Sequence, residues 1–395
     1  MSLPVLYLKK NADRRLRRGH LWIYSNEVDT SRSPLVQFAL GEQVLIASSA
    51  GKTLGVAFIN PNNLICGRLV SRTERPLNRK GLVKRLQSAL SLRDALYSDN
   101  SYRLVFGDSD NLPGLVVDRF GDHCVVQIGS AGMESMKDDL MSALDEVLSP
   151  KGVLLKNNGT VRKLEDLPEY VEEGLGEVPE FVPLVENGVS LEAPVWQGQK
   201  TGWFYDHRDN RQQLLSLVKG KRVLDVFSYA GAWSVQCLAA GASEVHAVDA
   251  SGAALDWAQR NAEINHAGER LHTWGGNAAD VLKAMLAEGE RFDVVILDPP
   301  AFIKRRKDKK QGEKAYYQIN QLGMRLVEQG GFLVSASCSM HLPKEDLREI
   351  VRSAARHVDR EAQIIHSGGQ GADHPILPAI PETDYLKSEL VRVYR

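Results

Sequence analysis

The chain has 395 residues, 43% of them hydrophobic and 25% charged, which excludes a disordered chain, a collagen-like fibre and a disulfide scaffold, and gives length for two or three domains. The four cysteines, Cys66, Cys124, Cys237 and Cys338, form no CxxC pair, so no metal site is expected and a reducing cytoplasm is. The net charge of −1 is unevenly spread: residues 1–72 carry 10 Lys/Arg against 4 Asp/Glu, and residues 73–190 carry 13 against 20. A basic N-terminal module fits contact with a phosphate backbone, and equally a solvated basic face.

The opening MSLPVLYLKKNADRR reaches charge before any apolar run, so no secretory signal is expected, and no segment approaches the roughly 18 apolar residues of a membrane span. Short strands come first: LYLKK, then GHLWIYSNEV after the basic run Arg14, Arg15, Arg17 and Arg18, then GEQVLIASSAGKTLGVAFIN and NLICGRLV. They predict a small all-β barrel over residues 1–73, ending where SRTERP breaks the pattern. Residues 74–190 read as a central α+β domain. It has a helix in GLVKRLQSALSLRDALY, a meander with turns at Asn111–Gly114 and Gly121–Asp122, a helix in MKDDLMSALDEVL, and an acidic connector from Leu164 to Glu186. Residues 191–395 alternate strands (RVLDVF, EVHAVD, LHTWGG, FDVVILD, GGFLVSAS) with helices (SVQCLAAG, SGAALDWAQRNAEIN, AADVLKAMLAEG, YYQINQLGMRLVEQ). That grammar predicts an α/β fold with a parallel, doubly wound sheet.

In such folds the ligand lies at the carboxyl ends of the strands. The first of these strands ends in Asp225 and the second in Asp249, at the offset where an acid holds a ribose hydroxyl, so the ligand contains adenosine. The loop Phe227-Ser228-Tyr229-Ala230-Gly231-Ala232-Trp233 lacks the GxGxxG spacing and would crowd a pyrophosphate. It suits S-adenosylmethionine, whose cationic sulfonium also favours acids at the strand ends.

The fourth strand ends in Asp298-Pro299-Pro300-Ala301-Phe302, a turn stiffened by two prolines that aims the Asp298 carboxylate. The fifth ends in Ser337-Cys338-Ser339, which places Cys338 on the same rim. A thiolate there has a specific use: addition to carbon 6 of a pyrimidine turns carbon 5 into a nucleophile, with Asp298 positioning the ring at N3. The aromatic Phe302 falls one position later than in the turns that hold amine-methylated bases. The basic stretch 304–314, seven Lys/Arg against two acids, reads as a loop at the mouth of this site, fit for phosphates or simply solvated. Tyr316 and Tyr317 read as base-stacking or helix-packing residues.

These pieces together (LRRGHLWIYSNEV, DNLPGLVVDRFGD, QKTGWFYDHRDNR, VLDVFSYAGAWS, VDAS, LDPPAF and SASCSMH) resemble the bacterial 23S ribosomal RNA 5-methylcytosine methyltransferase I family over nearly the whole chain. The resemblance implies an N-terminal PUA domain, a central α/β domain and a Rossmann-like methyltransferase domain. It implies that Asp225, Ser228 and Gly231 line the methionine part of S-adenosylmethionine and that Asp249 and Ser251 hold ribose and adenine. Asn277 stands where an acid is common, with a side-chain oxygen for the adenine amine. Asp298 and Cys338 match the catalytic acid and nucleophile. Lys200, Thr201, Gly202, Phe204, Asp206 and Arg208 match a stretch that packs over the cofactor. Ala232 and Trp233 depart from the usual Gly and Phe, and no second cysteine follows the Asp298 turn to act as the releasing base. The implied partner is 23S rRNA, naked or partly assembled, with no membrane partner and room for a homodimer. Two other readings stay open: amine or guanine methylation of RNA on the same fold, and a non-catalytic RNA-binding assembly factor.

Overall fold

The computed structural model describes residues 3–395, which divide into two compact units. The first takes the chain up to Leu184, together with Pro194–Trp203 and Asp373–Thr383; the second takes Val185–Ala193, Phe204–Ala372 and Asp384–Arg395. Two stretches inside 191–395 thus belong to the first unit.

The first unit begins with β1 (Val5–Tyr7), the helical turn α1 (Arg14–Arg17), β2 (Trp22–Tyr24), β3 (Gln43–Ala47), β4 (Thr53–Ile59) and β5 (Ile65–Ser71). These five strands form one sheet in the order β1-β3-β4-β5-β2, parallel only at β1–β3. A bridge between Leu8 and Val28 draws the two edges together. Alternation explains the core: Leu6, Ile23, Val44, Ile46, Ala57, Ile59 and Cys66 face inward and are buried.

Helix α2 (Arg79–Leu96), capped by Asn78 on the Gly81 N–H, leads into β6 (Ser101–Phe106), β7 (Leu115–Phe120) and β8 (His123–Ile128). Helices α3 (Ala131–Glu134) and α4 (Lys137–Leu148) cross over to β9 (Gly152–Asn157), which lies parallel to β8; α5 (Val161–Leu164) and β10 (Tyr170–Gly176) follow. The sheet order is β10-β9-β8-β7-β6. Its core, with Leu82, Leu86, Leu140 and Leu144 from the helices, also takes in Val56, Phe58 and Val70 of the preceding sheet. The acidic connector contains β10 and all of β11 (Phe181–Glu186), which pairs with β12 (Val189–Pro194) in a ribbon.

The second unit continues through α6 (Arg208–Leu214), β13 (Arg222–Val226), α7 (Ala232–Ala239), β14 (Glu244–Asp249), α8 (Gly252–Ile264), β15 (Leu271–Gly275), α9 (Ala278–Ala287), β16 (Phe292–Leu297) and α10 (Lys309–Leu326). It ends with β17 (Val327–Ser337), α11 (Lys344–His357), β18 (Glu361–Gly368) and β19 (Lys387–Tyr394). The seven-stranded sheet runs β15-β14-β13-β16-β17-β19-β18. The first five strands are parallel, as the alternating grammar predicts, but β19 is antiparallel to both β17 and β18, so the sheet is mixed rather than wholly parallel. Leu224, Val226, Val295 and Leu297 face a core shared with α9, α10 and α11, while the alternate residues Val223, Val245, Val294 and Ile296 are also fully buried. Both faces are therefore covered, which is why these strands read as continuous apolar runs. Among the described residues no helix is long and apolar enough to cross a membrane.

Candidate active site

The loop leaving β13 is held in an unusual backbone path. Phe227 (φ 69°), Tyr229 (φ 49°) and Gly231 (φ 80°) all lie in the left-handed region. Glycine is required at 231, where a Cβ would come within 2.9 Å of the Ala258 Cβ. At Phe227 and Tyr229 the same region costs a side-chain-bearing residue about 1–2 kcal/mol each. Phe227 N donates to Val248 O at 2.8 Å and Tyr229 N to Asp249 Oδ2 at 3.0 Å, which fastens the loop to the end of β14. The Tyr229 ring ends up edge-on to both Phe204 (5.3 Å) and Trp257 (5.9 Å).

The loop surrounds a cluster of acids. Asp225 is fully buried; its Oδ2 accepts from Ser234 N (3.1 Å) and Oγ (2.6 Å), while its Oδ1 has no protein partner. Burial, reinforced by Asp298 and Asp249, pushes the Asp225 carboxyl up to about 7, against the pull of the Ser234 bonds. The buried Ser228 Oγ likewise has no protein partner. Asp249 Oδ1 accepts from Ser251 N at 2.9 Å. Two orphaned buried oxygens and an excess of carboxylate suit a ligand that brings hydrogen-bond donors and positive charge. Ser251 and Asn277 begin α8 and α9 as caps: Ser251 Oγ accepts from Ala254 N at 3.3 Å and Asn277 Oδ1 from Ala279 N at 3.0 Å. The Asn277 oxygen read as an adenine contact is thus already engaged with one donor.

Asp298 follows β16 and meets two nitrogens from different elements, one at ion-pair distance and one as a hydrogen-bond donor. His207 Nε2 lies 3.1 Å from its Oδ1, and Trp233 Nε1 donates to its Oδ2 at 3.1 Å. Burial opposes the charged form, but His207 and Trp233 outweigh it and hold the Asp298 carboxyl below its ordinary range. The same attraction more than offsets burial at His207 and raises it. Asn210 Nδ2, pinned by Gly369 O at 2.8 Å, sits 3.0 Å from His207 Nδ1, an arrangement that puts the imidazole proton on Nε2, facing Asp298. The sequence reading passed over His207. Its signal is local: Asp206-His207-Arg208-Asp209-Asn210 packs five polar side chains directly behind the apolar Trp203-Phe204-Tyr205.

Of the stretch read as packing over the cofactor, Phe204, Asp206 and Arg208 belong to this second unit, and Lys200, Thr201 and Gly202 belong to the first. Phe204 is anchored through its carbonyl by Arg211 Nη2 at 2.7 Å. Arg208 is buried at the first position of α6. Asp206 Oδ2 accepts from Tyr385 Oη at 2.6 Å.

Cys338 lies just past β17, half-buried, with Sγ 3.9 Å from Pro299 O. The strand end and the Asp298 turn are tied by hydroxyls. Ile303 N donates to Ser339 Oγ (3.1 Å), Tyr316 Oη is 2.9 Å from the same oxygen, and Ser337 Oγ donates to Tyr316 Oη (2.8 Å). Tyr316 is therefore a fully buried junction and not a base-stacking platform. Phe302 packs on it at 4.8 Å. Cys66, Cys124 and Cys237 are buried, and burial pushes the first two thiols up to about 12 and raises Cys237 as well.

The basic stretch is not one loop, since α10 begins at Lys309 within it. Arg305 pairs with Asp308 (3.0 Å) and Lys309 with Asp346 (2.8 Å). Beside the Asp298 turn, Phe302, Lys304, Arg305, Asp308, Gln311 and Gly312 line a cleft of about 480 Å³. Near the starts of β14 and β15, Glu244, His246 and His272 come together. Trp274 Nε1 donates to His246 Nδ1 at 3.1 Å, which leaves the imidazole proton on Nε2, facing Glu244 Oε1 at 3.2 Å. A ring nitrogen so occupied is a hydrogen-bond donor rather than a metal ligand.

Comparison with known proteins agrees with this geometry. Residues 6–72 match the PUA-like domain family, and residues 162–387 match the family of S-adenosylmethionine-dependent methyltransferases. The large-subunit ribosomal RNA methyltransferases I of Yersinia pestis and Yersinia pseudotuberculosis are 35% identical over 396 residues, covering 98% of this chain and 99% of theirs. A methyltransferase crystallised with S-adenosylhomocysteine has the same fold (TM-score 0.84, 22% identity, 99% of this chain and 100% of that one). So does an S-adenosylmethionine-dependent methyltransferase from Streptococcus mutans (TM-score 0.82, 21% identity, 99% and 100%). S-adenosylmethionine is thus the cofactor that the acid-rich cradle fits. With a full-length match at this identity, the chain belongs to the ribosomal RNA large subunit methyltransferase I family of S-adenosylmethionine-dependent methyltransferases.

Proposed function

We propose that this protein methylates carbon 5 of a cytosine in 23S rRNA through a covalent adduct on Cys338. The supporting observation is the half-buried Cys338 thiol against the Asp298-Pro299-Pro300 turn, 3.9 Å from Pro299 O. Three of the four thiols are sealed in cores; this one is on the rim where the acids converge. Phe302, packed on the buried Tyr316, is committed elsewhere and does not favour the amine-methylating reading.

In this reading Asp225, Ser228, Gly231, Asp249, Ser251, Asn277, Phe204 and Arg208 hold S-adenosylmethionine, which when bound supplies an electrophilic methyl on a cationic sulfur. The Cys338 thiolate adds to ring carbon 6, and the C5=C6 pair moves toward C4 so that N3 becomes basic. Asp298, fixed by His207 and Trp233, positions that edge of the ring. Carbon 5 would then take the methyl as its bond to sulfur breaks and a neutral thioether leaves; the carbon-5 proton goes to a base, the C5=C6 bond reforms and the Cys338–carbon bond breaks, restoring the thiolate.

RNA contact is assigned to the barrel over 1–73 and to the cleft by Lys304 in the methyltransferase part over 191–395, with the central domain over 74–190 between them in the chain. In the barrel, Glu27 engages Arg15 at 2.9 Å and Asp13 engages Arg17 at 2.6 Å, while Lys10, Arg14 and Arg18 are exposed. Flipping a base out of structured RNA costs a few kcal/mol, least for an unpaired nucleotide, so the substrate is naked or partly assembled rRNA in the cytoplasm.

The test is methyl transfer from radiolabelled S-adenosylmethionine to unmodified 23S rRNA by wild type and Cys338→Ala, with nucleoside analysis. The expected result is 5-methylcytosine from wild type and none from the variant, with cofactor affinity retained. An active Cys338→Ala, or another methylated nucleoside, would overturn the assignment. Equal or faster methylation of intact large subunits than of free rRNA would overturn the substrate form.

A further inference from the structure

Lys387 is an unusual lysine. It opens β19 opposite Ser337 of β17, with 7% of its surface exposed. Its Nζ donates to Ser339 O at 2.6 Å and to Tyr385 O at 2.8 Å. No carboxylate lies within ion-pair distance of it among the described residues. An ammonium has three N–H donors, and two carbonyl dipoles neither use the third nor neutralise the charge. Buried cations are ordinarily paired, because desolvation of an isolated charge is costly. Ser339, whose carbonyl it grips, is the residue next to Cys338.

We propose that the counter-charge of Lys387 is the Cys338 thiolate, and that Lys387 is the residue that keeps this thiol ionised for attack. The idea rests on the reading of Cys338 as the nucleophile, and Lys387 acts through it as a positioning residue.

The surroundings show why a cation is needed. On one side the thiol donates to the Pro299 carbonyl at 3.9 Å, and the negative end of that dipole disfavours a thiolate. From α10 comes Tyr316, a neutral phenol raised chiefly by burial, with Cys338 adding to the effect. Facing Lys387 are Cys338 and Asp384, and both support the ammonium against a burial that pulls it down to about 8. Lys387 is therefore the cation among these groups. The proton balance is simple: the thiol releases its proton to neutral Lys387 or to solvent, and the thiolate–ammonium pair remains.

The experiment is alkylation of native protein with iodoacetamide across pH 5–10, reading modification of the Cys338 peptide by mass spectrometry. The other three thiols are buried and act as internal silent controls. In wild type the midpoint is expected below the ordinary free-cysteine value of about 8.5. Lys387→Gln drops the charge and leaves a neutral N–H donor on a side chain one bond shorter. It is expected to move the midpoint up by about one pH unit or more, an approximately tenfold slower alkylation at pH 7. Methyl transfer should fall in parallel at pH 7 and recover toward pH 9. Lys387→Arg retains the charge and should restore the low midpoint.

A wild-type midpoint at or above about 8.5 would overturn the proposal without any variant. Identical midpoints in wild type and a Lys387→Gln protein that still binds S-adenosylmethionine would overturn it too. Retained activity in Cys338→Ala would instead remove the nucleophile reading, whatever the alkylation profile shows.

Discussion

The indole N–H of Trp233 and the carboxylate of Asp298 are 3.1 Å apart, across the gap between the start of α7 and the end of β16. This bond ties the loop after β13 to the Asp298 turn. The phenylalanine that the family resemblance leads one to expect at 233 could not make it. Trp233→Phe should therefore lower kcat for methyl transfer about tenfold, the worth of one hydrogen bond to a charged group. Calorimetric affinity for S-adenosylmethionine should stay within about threefold, since the bond is to Asp298 and not to Asp225. An unchanged kcat would show that His207 alone holds the carboxylate.

Asp225 gives a pH signature. With its carboxyl raised to about 7, it is largely protonated at pH 6 in the ligand-free protein and ionised at pH 8. Binding a cationic ligand favours the ionised form, so S-adenosylmethionine affinity should weaken by up to about tenfold per pH unit below 7 and level off above it. The sign for stability is opposite. A carboxyl whose folded value is raised contributes stability that is present below its unfolded value and is lost as pH rises through about 7. Asp225→Asn should abolish the pH dependence of binding, and should raise the melting temperature of ligand-free protein at pH 8 by about 3 °C or more. Isothermal titration and thermal melts at pH 6, 7 and 8 read both effects.

Tyr316→Phe removes the bridge between Ser337 and Ser339 and leaves their buried hydroxyls short of a partner. A loss of about 1–3 kcal/mol in stability is expected, measured by urea unfolding. Activity should fall with it, because Ser339 also receives the Ile303 N–H that closes the Asp298 turn. Full activity would mean that the turn keeps its shape without the junction.

The cleft beside the Asp298 turn should carry a salt signature. If Lys304 and Arg305 each meet a phosphate, the double change Lys304→Ala with Arg305→Ala should flatten the dependence of log affinity on log salt by about 1.5. Filter binding of an rRNA fragment between 50 and 300 mM salt would read it. An unaltered slope would place the electrostatic contact in the barrel, on Lys10, Arg14 and Arg18.

The strand ends were legible because β13, β14 and β16 are largely apolar runs with an acid within one residue of their last position, and burial on both faces writes that pattern directly into composition. The first turns of α10 were not, since KKQGEK has no apolar period. The helix starts there because Gly312 lets it lie against the Asp298 turn, where a Cβ would come within 2.9 Å of Phe302 O. β18 escaped notice for a related reason: as the sheet edge it exposes Ile364 and Ile365 and has no clean alternation. His207 gave no periodic signal at all, because its meaning lies in a carboxylate 91 positions away.

The left-handed Phe227 and Tyr229 have a consequence for engineering. Glycine at either position would relieve backbone strain, but at Phe227 it would also remove a ring packed against the sheet core and Phe302, so a screen that rewards heat resistance alone will tend to collect Tyr229→Gly rather than Phe227→Gly. Tyr229→Gly would strip away the ring that sits edge-on to Phe204 and Trp257. Thermostabilised libraries of this enzyme should accordingly be sorted on S-adenosylmethionine retention before melting temperature, or the winners will be robust and empty-handed.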